Sequence, residues 1–174
     1  MRITLGITGS IAAYKACELV RLFARNGDDV RVVMTAAARE FVTPLTFQTL
    51  SRNPVGIDQF ALPEGWRPEH IALSEADAVV VAPATANVIA KMAHGIADDL
   101  LTSTLLASRS PLFVAPAMND GMWENPATQA NIATLRGRGV FVIEPAEGAL
   151  ACGSDGKGRM ADPADIFAAI RRSR

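Results

Sequence analysis

Three residues of this chain pair a reactive group with a setting in which it can act. Asn119 follows an apolar run, Leu112-Phe113-Val114-Ala115, that stops at Pro116 and gives way to Ala117-Met118-Asn119-Asp120-Gly121-Met122-Trp123. A side-chain amide at such a strand end can donate to a substrate carboxylate without adding charge that would hold it back from leaving as CO2. The competing reading is an Asx-turn toward Gly121. Cys152 lies in Ala151-Cys152-Gly153-Ser154-Asp155-Gly156-Lys157-Gly158-Arg159-Met160, where three glycines within six residues predict a movable loop. Its thiol can shuttle a proton, and Lys157 and Arg159 can meet a phosphate or carboxylate; an ordinary surface loop with an incidental cysteine is the alternative. His70, one of 2 histidines, precedes Ile71-x-Leu73 and suits either proton transfer or a structural place.

The totals narrow the function classes. His94, before Gly95, fits the C-terminal end of a helix dipole, and two separated histidines without a nearby cysteine pair predict no metal site. Lysine and arginine number 17 against 18 acidic residues, and the net charge of −1 provides no global attraction for nucleic acid or a membrane surface. Arg171-Arg172-Ser173-Arg174 reads as a solvated tail. No long apolar window predicts a membrane span, and the first residues, broken by Thr4, Gly6, Thr8 and Gly9, do not pattern as a signal peptide. Cys17 and Cys152 are expected to be free thiols in a reducing cytoplasm. With 49% apolar and 20% charged residues, the composition predicts one globular domain over 1–174.

Positioning the reactive groups takes alternating strands and helices. Arg2 to Thr8, Val30 to Met34, Asp77 to Ala82, Leu112 to Ala115 and Val140 to Ile143 pattern as buried strands. Helices are expected from Ile11 to Asn26, His70 to Ala76, Asn87 to His94, Asp98 or Asp99 through Leu105, Pro126 to Arg138 and Pro163 to Arg172. Thr35 to Phe41 and Pro44 to Leu50 read as short helical pieces, and Arg52 to Glu69 as a long irregular stretch. This alternation predicts an α/β fold: a single-domain Rossmann-like or flavodoxin-like parallel sheet with helices on both faces.

The first turn, Gly6-Ile7-Thr8-Gly9-Ser10-Ile11-Ala12-Ala13, offers backbone N–H groups and a positive helix end to a phosphate. Its spacing is not G-x-G-x-x-G, and Met34-Thr35 stands where a dinucleotide fold places an acidic residue, which argues against NAD. Ser10, Thr35, and Thr85 with Asn87 crown three successive strand ends with neutral polar groups that can hold a phosphate or a ring edge. Simple helix capping by Ser10 and Asn87 is the alternative.

Together, Gly9-Ser10-Ile11-Ala12-Ala13-Tyr14-Lys15, His70-Ile71-x-Leu73, Ala82-Pro83-Ala84-Thr85-Ala86-Asn87, Pro116-Ala117-Met118-Asn119-x-x-Met122-Trp123 and the Cys152-to-Met160 segment resemble the phosphopantothenoylcysteine decarboxylases, among the homo-oligomeric flavin-containing cysteine decarboxylases. The resemblance runs in order over essentially the whole chain. It implies an FMN enzyme that turns 4′-phosphopantothenoylcysteine into 4′-phosphopantetheine in coenzyme A biosynthesis, by oxidation to a thioaldehyde, CO2 loss and re-reduction of the enethiol. It implies His70, Asn119 and Cys152 as catalytic, with Asn119 on the carboxylate and Cys152 as proton donor in the reductive half. Gly9, Ser10, Ile11, Thr35, Phe41, Thr85, Ala86, Asn87 and Met118 are implied at FMN, and Ala151, Cys152, Arg159 and Met160 beside Asn119 at the substrate. It further implies sites shared between subunits of trimers or dodecamers, a cytoplasmic location, and a chain that stands alone or forms the N-terminal half of a bifunctional protein. Other relatives keep alternatives open: peptidyl-cysteine decarboxylases of lantibiotic type, non-enzymatic flavoproteins that regulate a phosphatase, and flavin prenyltransferases, which share the glycine turn but would not require the Cys152 segment.

Overall fold

Runs of β-branched and small apolar residues, which gain most from leaving water on both faces, form the centre of the molecule. The computed structural model describes residues 1–61, 66–149, 153 and 155–173. Five runs pair in parallel as β1 (Arg2–Ile7), β2 (Asp29–Met34), β3 (Ala78–Ala84), β4 (Leu112–Pro116) and β5 (Phe141–Val142), in the order β2-β1-β3-β4-β5. Between the two orders the sequence left open, this is the flavodoxin-like one. After β2 the chain crosses to the far side of β1, so the topological switch point lies between β1 and β3, where an open α/β sheet binds ligands.

Period-two alternation divides the apolar side chains between two half-cores. Ile3, Leu5, Ile7, Val80 and Ala82 pack with Leu19 and Phe23 of α1 (Ala13–Arg25), Phe47 of α2 (Pro44–Ser51), and Ile166 and Ile170 of α8 (Pro163–Arg172). On the other face Val79, Val81 and Val114 meet α3 (Glu69–Ser74), α4 (Ala86–His94), α5 (Leu100–Ala107) and α7 (Pro126–Gly137) through Leu73, Ile89, Leu101 and Ile132. Each such buried side chain stabilises the fold by about 1.5–3 kcal/mol relative to exposure. Helices as short as α3 therefore persist by packing and not by propensity.

Most expected elements are present, with informative differences. The first helix starts at Ala13 and not Ile11, because Ser10 to Ala12 are spent in a tight turn in which Ala13 N–H donates to the Ser10 carbonyl at 2.9 Å. Asp99, not Asp98, caps α5, through a reciprocal capping box with Thr102. The last strand shortens to Phe141–Val142, which among the described residues pairs with β4 alone. Within the irregular stretch, Gly56 bridges Val33 in parallel and extends the sheet beyond β2. A short helix, α6 (Asp120–Glu124), follows Asn119 where none was foreseen. The largest correction concerns the glycine-rich segment: Asp155–Arg159 is not loop but β7, paired antiparallel with β6 (Ala146–Ala149) in a second sheet of two strands. Asp-Gly-Lys-Gly-Arg carries no β-branched or aromatic residue, so local propensity gave no sign of it.

Candidate active site

The carboxyl ends of β1 and β3 are stapled by Thr8. Its hydroxyl donates to the Pro83 carbonyl at 2.7 Å and accepts the Thr85 N–H at 3.0 Å, and the residue is 2% exposed. Around this staple the first turns of helices gather at one edge. Gly9 backs onto Ala37, and Ser10 Oγ accepts from Ala12 N–H at 3.3 Å in the turn before α1; the N-cap of that helix is Ala12, without a side-chain cap, so Ser10 does not cap it as the alternative reading held. Ile11 projects outward, 55% exposed. Thr35 caps the 3₁₀ turn over Ala36–Glu40 by accepting from Ala38 N–H, and Phe41 closes that turn half-exposed. Thr85 caps α4 through Val88 N–H; Asn87, expected as the alternative cap, instead sits in the first turn, exposed and without a side-chain hydrogen bond among the described residues. The first turns after Thr35 and Thr85 thus present N–H groups that helix hydrogen bonding does not use.

Beside them runs a ledge formed by residues 117–120. Asn119 is the N-cap of α6: its Oδ1 accepts Gly121 N–H at 2.9 Å, the Asx geometry read as the bland alternative. The cap uses the oxygen, the acceptor end of the amide, whereas a carboxylate calls for the nitrogen, the donor end. Met118 is half-buried and packs against the second half-core. Trp123 is buried and supports the ledge, whereas Met122 is 48% exposed and does not belong to the core.

The hairpin lies directly on this ledge. Met118 N–H donates to the Gly158 carbonyl at 3.0 Å, and a Cβ on Gly158 would stand 2.3 Å from the Met118 carbonyl oxygen. A Cβ on Gly156 would stand 2.8 Å from Asp120 Cβ, so alternate residues of β7 must be glycine for the strand to approach so closely. The residues between and beyond carry cations. Lys157 Nζ pairs with Glu144 at 2.9 Å, while Arg159 is exposed and has no ion-pair partner among the described residues. Met160 is 1% exposed and packs in the first half-core, a fixed foot for the hairpin with no open surface of its own. Ala151 and Cys152, placed by sequence at the substrate, lie outside the described residues.

His70 is the second residue of α3 and half-buried. Among the described residues it makes no hydrogen bond or ion pair to the ledge, the hairpin or the first turn. Its neighbour Glu69 is pushed above the ordinary carboxylate range by burial, with a smaller contribution from the Asp58 charge. No cluster of three His, Cys, Asp or Glu side chains suited to a metal occurs among the described residues. A cavity of about 540 Å³ lies at the opposite, amino end of the strands, lined by Arg21, Arg25, Asp28 and Arg52, and touches none of these groups. Thr8, Glu144 and the Gly156–Gly158 contact were not foreseen from sequence; a hydroxyl at a strand end before a glycine turn was the one available signal.

A flavoprotein family model matches residues 1–174. The chain is 50% identical over 165 residues to the coenzyme A biosynthesis bifunctional protein CoaBC of Bacillus subtilis, covering 94% of this chain and 41% of that protein. It thus spans about two fifths of the length of the curated relatives it matches. A structure of a cysteine-to-serine variant of PPC decarboxylase, complexed with pantothenoylaminoethenethiol, superposes with a TM-score of 0.89 at 35% identity, covering 99% of this chain and 97% of that one. The FMN-dependent cysteine decarboxylase SpaF superposes with a TM-score of 0.83 at 36% identity, over 100% and 98%. From the full-length family match and these likenesses it follows that the chain belongs to the flavoprotein family.

Proposed function

We propose that this chain is an FMN-dependent decarboxylase that converts 4′-phosphopantothenoylcysteine to 4′-phosphopantetheine, as the decarboxylase portion of coenzyme A biosynthesis. The observation that carries this reading is the docking of β7 on the Asn119 ledge, since β6 and β7 flank the segment that holds Cys152 in the sequence. The donor set fits FMN: neutral hydroxyls and amides at Ser10, Thr35, Thr85 and Asn87, with unused N–H groups of first turns for a phosphate. Gly9, Ile11, Phe41, Ala86 and Met118 border the same edge. FMN, when bound there, supplies a two-electron sink and source.

The chain's own groups divide the remaining work. Asn119 Nδ2 donates to the departing carboxylate and orients it. His70 serves the oxidative half, in which the cysteinyl carbon bearing sulfur is oxidised so that the thioaldehyde can accept the electron pair released with CO2. Cys152 Sγ gives a proton to the resulting enethiolate during reduction. Arg159 meets an anionic group of the substrate, because Lys157 is already neutralised by Glu144. The site is completed between subunits of a homo-oligomer, a trimer or dodecamer, in keeping with a His70 that makes no hydrogen bond or ion pair to the ledge among the described residues. Large exposed apolar side chains, among them Tyr14, Leu45, Phe60 and Trp66, support such assembly. No helix among the described residues is long and apolar enough to cross a membrane, in keeping with a cytoplasmic enzyme.

A second reading, decarboxylation of a peptide's C-terminal cysteine, is favoured by the nearly equal likeness to SpaF. Side-by-side assay of CO2 release from phosphopantothenoylcysteine and from a peptide ending in cysteine separates the two. On the first substrate, Cys152→Ser is expected to release CO2 and accumulate the enethiol; the enethiol-type ligand of the structural neighbour's cysteine-to-serine variant supports this. Normal pantetheine product from that variant would remove Cys152 from the reaction, and a wild-type protein inactive after FMN addition would end the proposal.

A further inference from the structure

Between its pairing with β6 and the buried foot at Met160, strand β7 itself has little that holds it on the ledge. Where it meets the ledge it offers only Gly156 and Gly158, which bury no side chain, and one backbone bond joins Gly158 to Met118. What ties it sideways is Glu144, in the segment between β5 and β6. One carboxylate oxygen of Glu144 accepts from Arg136 of α7, and the other lies 2.9 Å from Lys157 Nζ of β7. The same ammonium sits 5.8 Å from the centre of the Trp123 ring, and Trp123, in α6, is 6% exposed. The Glu144 carboxylate therefore joins α7 to the hairpin, while the cation it holds also rests on the helix that Asn119 caps.

We propose that Glu144 is a positioning residue for the candidate site: by holding Lys157 between its carboxylate and Trp123, it sets β7 on the Met118–Asp120 ledge and with it the orientation of Asn119. An isolated pair with 38% and 50% side-chain exposure does little for stability. Glu144 acts instead through a shared geometry, in which losing either the carboxylate or the ammonium releases the strand from both α7 and α6. The kinetic part of this proposal rests on the decarboxylase reading; the structural part does not.

Hydrogen exchange on the protein as purified reads the hairpin directly. In Glu144→Gln, the Met118 amide and the β6–β7 amides are expected to exchange about fivefold faster, with β1 to β4 unchanged. Glu144→Asp restores most of the protection. Lys157→Met reproduces the effect, and the double variant is no worse than either single one, as expected when both remove one interaction. On phosphopantothenoylcysteine, Glu144→Gln raises KM by a similar factor with kcat within about twofold, since it loosens substrate placement and not the chemistry. Unchanged hairpin exchange, acceleration throughout the molecule, or additive single-variant effects would overturn the proposal. If exchange responds as expected but no form of the protein releases CO2, the decarboxylase reading falls and the placement of Glu144 stands. If the wild type decarboxylates and hairpin exchange is unmoved in the variant, only the Glu144 proposal falls.

Discussion

At Asn119 one side chain answers two demands. Its oxygen caps α6, a local requirement of the backbone, while the proposed reaction asks for its nitrogen as a donor. Substitution can separate the two. Aspartate caps as well as asparagine but has no hydrogen to give and repels a carboxylate, so Asn119→Asp is expected to keep the α6 amides protected in hydrogen exchange and to lose CO2 release by about 100-fold or more. Asn119→Ala loses the cap as well, at about 1 kcal/mol. An aspartate variant that turns over normally would reduce Asn119 to its capping role. The sequence placed this residue at a strand end and left carboxylate binding and an Asx-turn as competing readings; the structure shows the turn, and the proposed carboxylate contact calls on the other end of the same amide.

Among the elements, the junction of β1 and β3 depends on Thr8, which lies between two runs that are each legible alone. Thr8→Val keeps the shape but leaves the Thr85 N–H and the Pro83 carbonyl without this partner. A loss of about 1–3 kcal/mol is expected, together with weaker flavin retention, because the first turns of α1 and α4 lose their shared anchor. Denaturant titration followed by the absorbance of retained flavin checks both; unaltered stability with full flavin content would show that the staple is dispensable. The hairpin is the contrasting case. Local pattern suggested a loop because glycine and charge disfavour strands, and only the ledge beneath β7 explains why glycine is required there.

Across the whole molecule, the amino ends of the strands are closed by a charged cluster. The Asp28 carboxylate accepts from the Met1 ammonium at 2.9 Å and from Arg171 of α8, tying the last helix to the start of the sheet. Burial pushes the Asp28 carboxyl up, but hydrogen bonds from the N-terminal ammonium, Arg171 and Asn26 outweigh it and hold the group below the usual carboxylate range. A lowered folded-state pKa means stabilisation that is present above the ordinary carboxylate range and lost as pH falls through the lowered value. Asp28→Asn is therefore expected to cost about 2–3 kcal/mol at neutral pH, less than the ~3–5 kcal/mol of fully buried pairs because Arg171 is partly exposed. It should also flatten the acid limb of a stability–pH profile; parallel wild-type and variant profiles would refute the assignment.

By itself the sequence determined where strands and helices run and which polar residues stand at their ends. Buried apolar runs, caps and glycine stops act within a few residues, and those signals are printed locally. Tertiary structure alone decided that β1 and β3 are neighbours, that Thr8 joins them, and that a glycine strand rests on the Met118–Asp120 ledge with Glu144 beside it. These are relations between segments that are not neighbours in sequence, set by sheet order and by close backbone approach, and neither leaves a periodic trace in the residues that take part.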